Sequence, residues 1–160
     1  GIDSLTLSLN VHFDNWCGGC EFHSYPYEAR IPISSNGKYP NKVFREDQDI
    51  WDVIDLLITD TKECNDMKGK SFDIASSVSQ QLSFFSCPNI ILNNECQSDI
   101  SQYLYCKEFG VTPFPGSYRE QPARWIHKVN IIKNAMSKRE EREYKKIQRN
   151  SEIKAGVNNG

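Results

Sequence analysis

The segment at residues 16–20, Trp-Cys-Gly-Gly-Cys, is the feature that most constrains what this chain can fold into. Two thiols separated by two glycines share one tight turn, in which both sulfurs can face the same atom. This arrangement is typical of half of a four-ligand zinc site, and equally of a thioredoxin-type redox centre that follows a strand. The other cysteines and the chain after Cys20 must decide between the two.

The chain has six cysteines in 160 residues, well below the roughly 8% of a disulfide scaffold. We therefore favour reduced thiols with a metal site over three disulfides. In the zinc hypothesis the Cys17–Cys20 pair is completed by two of three later cysteines, and His23 is close in sequence. The alternative is that the cysteines are buried free thiols that act as small apolar residues. The predicted metal ligands are drawn from Cys17, Cys20, Cys87, Cys96 and Cys106.

The first part of the chain has the patterns of extended structure. Residues 5–13 alternate apolar and polar side chains with a period of two, which predicts a half-buried strand. Residues 25–33 contain Pro26 and Pro32, which oppose a helix, and residues 34–37 have the composition of a turn. We therefore predict a small antiparallel β element within residues 1–45 that holds the cysteine pair.

The period changes to that of a helix at Asp47. Apolar residues then recur at positions 50, 53, 54, 57 and 58, with the acidic residues on the other face. Further helices are predicted over residues 72–85 and from Asn94, at an Asn94/Gln97 capping box, to Gly110. Ser117 and Glu120 form a start signal for a last helix, whose apolar stripe fades beyond Ser137.

The predicted fold class is α+β, with a short N-terminal antiparallel β element followed by about four helices. We predict one globular domain over residues 1–137, divided into the β element (1–45) and a helical part (46–137). Residues 138–160 are predicted to form a charged helical arm and a frayed tail.

The charge distribution argues against some classes of function, and a nucleic-acid-binding zinc module that uses the basic tail is the weakest alternative. Residues 138–149 carry six basic and three acidic side chains, whereas residues 46–73 carry nine acidic side chains and three lysines. A nucleic-acid-binding domain has a basic excess throughout, so nucleic acid is not the expected partner. No apolar run approaches the roughly 20 residues of a membrane span, so no membrane partner is predicted. His12 and His127 have no serine or cysteine at the spacing of a catalytic motif, so no catalytic role is predicted for either histidine.

Residues 103–135 carry a further pattern, in which a helix bearing aromatic residues and a cysteine leads into Pro-Phe-Pro-Gly-Ser-Tyr, then Gln-Pro, then an amphipathic helix. This pattern resembles one seen in small tailed-bacteriophage proteins of the virion or of tail morphogenesis. The resemblance implies a structural protein that binds other subunits in a larger assembly, in the virion or the host cytoplasm. A helix–loop–helix corner locked by Tyr118, Pro122 and Trp125 would produce the same pattern.

The sequence thus supports a non-enzymatic structural or interaction protein, stabilised by zinc, whose arm and aromatic loop contact a partner. The predicted partner-binding residues are Phe114, Tyr118, Trp125, Arg139, Arg142, Tyr144 and Lys145.

The alternative is an enzyme, because residues 5–20 look like the strand and Cys-x-x-Cys motif of the thioredoxin family. Cys17 would then be the low-pKa nucleophile of a thiol–disulfide oxidoreductase and Cys20 the resolving thiol. The prolines after Cys20 and the helix start after Pro115 depart from that family's pattern.

Overall fold

The computed structural model of the chain describes residues 4–14 and 16–157, which form five α-helices, two strands and three short 3-10 turns. The α-helices are α1 (Ser4–Asp14), α2 (Asp47–Lys68), α3 (Ile74–Gln81), α4 (Asn94–Phe109) and α5 (Ala123–Val157). The strands are β1 (Tyr27–Arg30) and β2 (Asn41–Phe44), and the 3-10 turns are Leu82–Phe84, Pro88–Ile91 and Tyr118–Glu120. This architecture confirms the α+β class.

The chain divides into two compact units, Gly1–Ser101 and Gln102–Gly160. The division falls inside α4, and the domain boundary expected at residue 137 stays a prediction. The first unit contains the sheet and α1 to α3, and the second contains α5.

The strand expected over residues 5–13 is wrong, because this segment forms α1. Its apolar and polar residues alternate, yet both kinds are buried, since Ser8 and Asn10 are as inaccessible as the leucines beside them. The Ser8 hydroxyl donates to the carbonyl of Ile91 at 2.6 Å, and the Asn10 amide donates to the carbonyl of Thr6 at 2.9 Å. A helix buried on several faces needs no polar side, provided that its polar groups are hydrogen-bonded.

The two strands form an antiparallel hairpin, with Tyr27 opposite Phe44 and Arg30 opposite Asn41. The predicted turn lies between them, where Asn36 has φ 51° and Gly37 has φ 74°. The hairpin is the sheet of the predicted β element, but the cysteine pair lies before it, in the loop that joins α1 to β1.

The core of the first unit lies between α2, α3, α1 and the inner face of the hairpin. Helix α2 contributes the predicted apolar stripe and ends at Gly69, whose φ of 57° suits a residue without a side chain. The rings of Phe44 and Phe85 stack at 5.9 Å and join the sheet to the chain after α3. The buried members of this core are Leu7, Val11, Ala29, Phe44, Ile50, Val53, Ile54, Leu57, Ala75, Val78, Leu82, Phe85 and Ile91.

Two helix starts differ from the predicted ones by a few residues. Helix α4 is capped by Asn93 rather than Asn94, since its side-chain oxygen accepts from the N–H of Cys96 at 2.8 Å. The Ser117 and Glu120 capping box exists, but it caps the separate 3-10 turn Tyr118–Glu120. Helix α5 begins only after Gln121, whose extended backbone interrupts the helical path.

The second unit is mainly α5, which has 35 residues. Trp125, Ile132 and Ala135 are its buried residues. The loop before it is tied by Gln121, whose side-chain amide donates to the carbonyl of Phe114 at 2.9 Å. Across the described part of the chain, no helix has both the length and the apolar character needed to cross a membrane.

Candidate metal centre

The loop from α1 to β1 contributes three side chains to a cluster of metal-binding groups: Cys17, Cys20 and His23. It begins where α1 ends, and the Trp16 indole N–H donates back to the carbonyl of His12. Gly19 has φ +99° and its N–H donates to the sulfur of Cys17 at 3.4 Å. The glycine therefore allows a tight turn in which a backbone donor points at the first thiol.

The fourth member, Cys87, comes from a distant part of the sequence. It caps the 3-10 turn Pro88–Ile91 with an extended backbone and is buried, beside the core residue Phe85. The hydroxyl of Tyr27 in β1 donates to the carbonyl of Phe85 at 2.9 Å, which joins the strand after the loop to the segment that carries Cys87.

The ligand atoms of Cys17, Cys20, His23 and Cys87 all lie within 4.8 Å of one another. The two sulfurs of the Cys17–Cys20 pair are 3.7 Å apart. The Nε2 atom of His23 lies 3.6 Å from the Cys17 sulfur and 3.4 Å from the Cys20 sulfur. Three thiols and one imidazole are thus close enough to hold a single metal ion.

The exposure of the four ligands is graded. His23 is exposed, Cys17 and Cys20 are half-buried, and Cys87 is buried. One side of the cluster therefore faces solvent and the other faces the core.

The electrostatic environment differs between the thiols of the cluster. The pKa of Cys17 is lowered to about 6, chiefly because the N–H groups of Gly19 and then Cys20 donate to its sulfur. Burial raises the pKa of Cys87 to about 12. A divalent cation deprotonates a coordinating thiol, so it would supply the positive charge that a Cys87 thiolate lacks in this setting.

The structure brings together three of the five predicted ligands and adds a residue outside that set. Cys96 is buried in the first turn of α4 and is not in the cluster, and Cys106 lies in the second unit. The predicted ligand set leaves out His23, although the spacing Cys-x-x-Cys-x-x-His at residues 17–23 is a sequence signal for it. All six cysteines are free thiols.

The surroundings of the cysteine pair differ from those that thioredoxin chemistry requires. A helix, α1, precedes the pair where that chemistry has a strand, and a loop followed by β1 comes after it. The low pKa of Cys17 therefore arises from the N–H groups of the turn rather than from a helix N-terminus.

The residues predicted to bind a partner lie in the second unit and differ in exposure. Phe114, Tyr118 and Tyr144 are exposed, whereas Trp125 is buried at 8% exposure. Lys145 is exposed and pairs with Glu141 one helical turn earlier. Arg139 and Arg142 are half-buried. The assignment of these residues to a partner stays a prediction.

Comparison of the chain with protein-family models, with curated proteins and with solved structures finds no significant match. The geometry of the cluster therefore carries the functional argument.

Proposed function

We propose that the first unit is a zinc-stabilised structural module, in which Cys17, Cys20, His23 and Cys87 coordinate one Zn²⁺. The observation that carries the proposal is the spacing of the ligand atoms. Bond lengths of about 2.3 Å for Zn–S and about 2.0–2.1 Å for Zn–N imply tetrahedral edges of about 3.8 Å between sulfurs and about 3.6 Å between sulfur and nitrogen. The corresponding distances here are 3.7 Å, 3.6 Å and 3.4 Å.

The ligand set also favours a structural role for the ion. Three cysteines and one histidine are typical of structural zinc sites, whereas catalytic zinc has three protein ligands and a water molecule. With four protein ligands, no coordination position is left for a substrate.

The position of the ligands in the chain gives the ion a stabilising function. Cys17, Cys20 and His23 belong to one loop, whereas Cys87 lies beyond the hairpin, α2 and α3. One ion would therefore join the two ends of a long stretch of chain, and its binding free energy would contribute to folding. The ion would stabilise most directly the loop of residues 16–26, because this loop contains no α-helix or strand of its own.

The test is the metal content of protein purified under reducing conditions, measured by mass spectrometry together with a count of reactive thiols. We expect one zinc per chain, with Cys17, Cys20 and Cys87 protected until a chelator is added. Substitution of Cys64, an exposed thiol outside the cluster, by serine is the control and should leave the zinc content unchanged. Protein without zinc, which also fails to take it up after reduction, would refute the proposal.

A thiol–disulfide oxidoreductase is the second candidate, and one observation favours it. The Cys17 pKa of about 6 would keep its thiolate populated at neutral pH, 3.7 Å from the sulfur of Cys20. Reduction of insulin disulfides in the presence of dithiothreitol distinguishes the two. Turnover by metal-free protein that is lost in Cys17→Ser would support the enzyme, and an inactive protein that retains zinc supports the structural module.

We also propose that the second unit binds another protein subunit. The support is a set of exposed rings before α5, which includes Tyr105, Phe109, Phe114 and Tyr118. The rings of Tyr105 and Phe109 contact each other, with centroids 4.6 Å apart. Exposed aromatic rings are common at the centres of protein interfaces.

The resemblance of residues 103–135 to tailed-bacteriophage proteins suggests a virion or tail-assembly subunit as the partner, and this part rests on the resemblance alone. The test is binding between purified full-length protein and purified candidate subunits. A protein truncated after Ser137 and a Phe114→Ala variant should bind at least about tenfold more weakly than the full-length chain. Equal binding by both variants would contradict the proposal.

A further inference from the structure

Asn89 contacts both of the chain segments that carry the ligands of the cluster. It lies two residues after Cys87, in the 3-10 turn Pro88–Ile91, and its side chain is exposed. Its side-chain oxygen Oδ1 accepts a hydrogen bond from the backbone N–H of Cys17 at 3.1 Å. Its own backbone N–H lies near the sulfur of Cys87 and offsets part of the rise that burial causes in the pKa of that thiol.

The side chain and the backbone of Asn89 thus contact different ligands of the same site. The bond to Cys17 holds the start of the ligand loop against the 3-10 turn, at the residue whose sulfur is one corner of the cluster. Asn89 also belongs to the 3-10 turn that Cys87 caps, so its side chain is fixed close to the buried ligand. A single residue therefore relates the position of one ligand in the loop to that of the ligand from the distant segment.

The hydrogen bond between Cys17 and Asn89 joins residues that are far apart in the sequence, and its acceptor is a side chain. The N–H of Cys17 begins a turn in which the next donors, Gly19 and Cys20, are directed at the Cys17 sulfur. If the N–H of Cys17 lacked an acceptor, the peptide before Cys17 would be free to rotate and the sulfur would move with it. The amide oxygen of Asn89 fixes this peptide.

We infer that Asn89 is the positioning residue of the metal site, which holds the Cys17 loop over Cys87 in the geometry that one ion requires. The inference rests on the proposed zinc site and assigns to it a residue that binds no metal itself. Residues that hydrogen-bond to metal ligands orient those ligands, and their loss reduces metal affinity by about 10–100-fold.

The experiment measures the zinc dissociation constant by competition with a chromophoric chelator. The variants are Asn89→Ala, Asn89→Asp and the control Asn94→Ala, which removes another exposed asparagine of the same unit. We expect Asn89→Ala to bind zinc about 10–100-fold more weakly than wild type. Asn89→Asp, which keeps an acceptor oxygen at the same place, should remain within a few-fold of wild type, as should Asn94→Ala.

A role of Asn89 in general stability predicts a different result, because its loss would lower the unfolding midpoint of the metal-free protein and leave zinc affinity intact. The midpoint of each metal-free variant is therefore measured as well. Equal zinc affinity in Asn89→Ala and Asn94→Ala overturns the inference and leaves the zinc site in place. A wild-type protein that binds no zinc overturns both.

A measurement on wild-type protein covers the case in which Asn89→Ala does not fold. In zinc-loaded protein the amide hydrogen of Cys17 should exchange with solvent at least about tenfold more slowly than that of Gly18. Exchange at equal rates would show that the hydrogen bond to Asn89 is absent and would overturn the inference.

Discussion

The two units of the chain differ in how far apart in the sequence their stabilising residues are. In the first unit, Ser8 bonds to Ile91, Tyr27 bonds to Phe85, and Cys17 bonds to Asn89. In the second unit, hydrogen bonds of the loop and of α5 join near neighbours, as Gln121 does with Phe114 and Lys145 with Glu141. The first unit should therefore respond strongly to loss of one distant contact, and the second should tolerate local changes.

The largest effect is expected from Cys87→Ser, which removes the distant ligand. Zinc affinity should fall by more than about 100-fold, because even loss of a supporting partner costs about 10–100-fold. The first unit should then unfold at a lower denaturant concentration, as monitored by circular dichroism with and without zinc. Cys96→Ser changes another buried cysteine of this unit outside the cluster and should retain full zinc content. Zinc loss in both variants would contradict the assignment of Cys87.

Phe44→Ala should lower the free energy of unfolding by about 3–5 kcal/mol, because it leaves a cavity in the core of the first unit. Phe44 is fully buried and stacks on both Tyr27 and Phe85. The measurement is urea denaturation in the presence of zinc. Val43→Ala, at a 40% exposed position of the same strand, is the control and should cost much less. Equal costs would mean that the hairpin does not pack on the core as described.

Gly19→Ala should destabilise the ligand loop by about 1–3 kcal/mol, because a side chain is strained at a φ of +99°. Gly18→Ala is the matched control, since Gly18 also has open space around it but does not have a φ in the positive range. Zinc affinity measured by chelator competition should fall in the first variant and remain near wild type in the second. Equal affinities would show that the turn can form without the glycine.

Truncation after Ser137 should change the free energy of unfolding of the first unit by less than about 0.5 kcal/mol, as expected for surface changes. No residue of α5 after Ala135 is buried. Urea denaturation monitored at the tryptophans would detect a larger loss. A loss of several kcal/mol would remove the distinction between the two units.

The smallest expected effect is on the pH dependence of stability, and it should occur in both units. The pKa values of Asp49 in the first unit and Glu120 in the second are lowered, chiefly by the backbone N–H groups of Arg45 and Ser117 respectively. A lowered pKa in the folded state gives stability above the unfolded value, about 3.9 for Asp and 4.3 for Glu, that is lost as pH falls through the folded value. Stability should therefore fall less steeply below pH 4 in Asp49→Asn and Glu120→Gln than in wild type. Slopes equal to wild type would contradict this.

Helices α2, α3 and α5 could be predicted because each has one apolar face, whereas α4 was predictable from its start and stop signals. Helix α2 buries Ile50, Val53, Ile54 and Leu57, with a period that excludes a strand, and the Gly69 stop is local. Helix α1 could not be predicted, because its period of two is an accident of a helix buried on several faces. The partner that allows its polar Ser8 to be buried is distant in the sequence, since the carbonyl of Ile91, 83 residues away, accepts from the Ser8 hydroxyl.

The candidate metal site was predictable only where its ligands lie close together in the sequence. Cys17, Cys20 and His23 lie within one loop, so their spacing carries the information. No spacing distinguishes Cys87 from Cys96 or Cys106, since the choice depends on how α2 and α3 return the chain to the loop.

The length of α5 sets how far the second unit reaches. At about 1.5 Å per residue, the helix extends roughly 33 Å beyond its last buried residue, Ala135, to Val157. A binding partner that contacts only the Val157 end of α5 would lie about 30 Å from Ala135, which is about the thickness of a bilayer's hydrocarbon core. The helix would then act as a spacer, and shortening it by whole turns would change the separation in steps of about 5.4 Å.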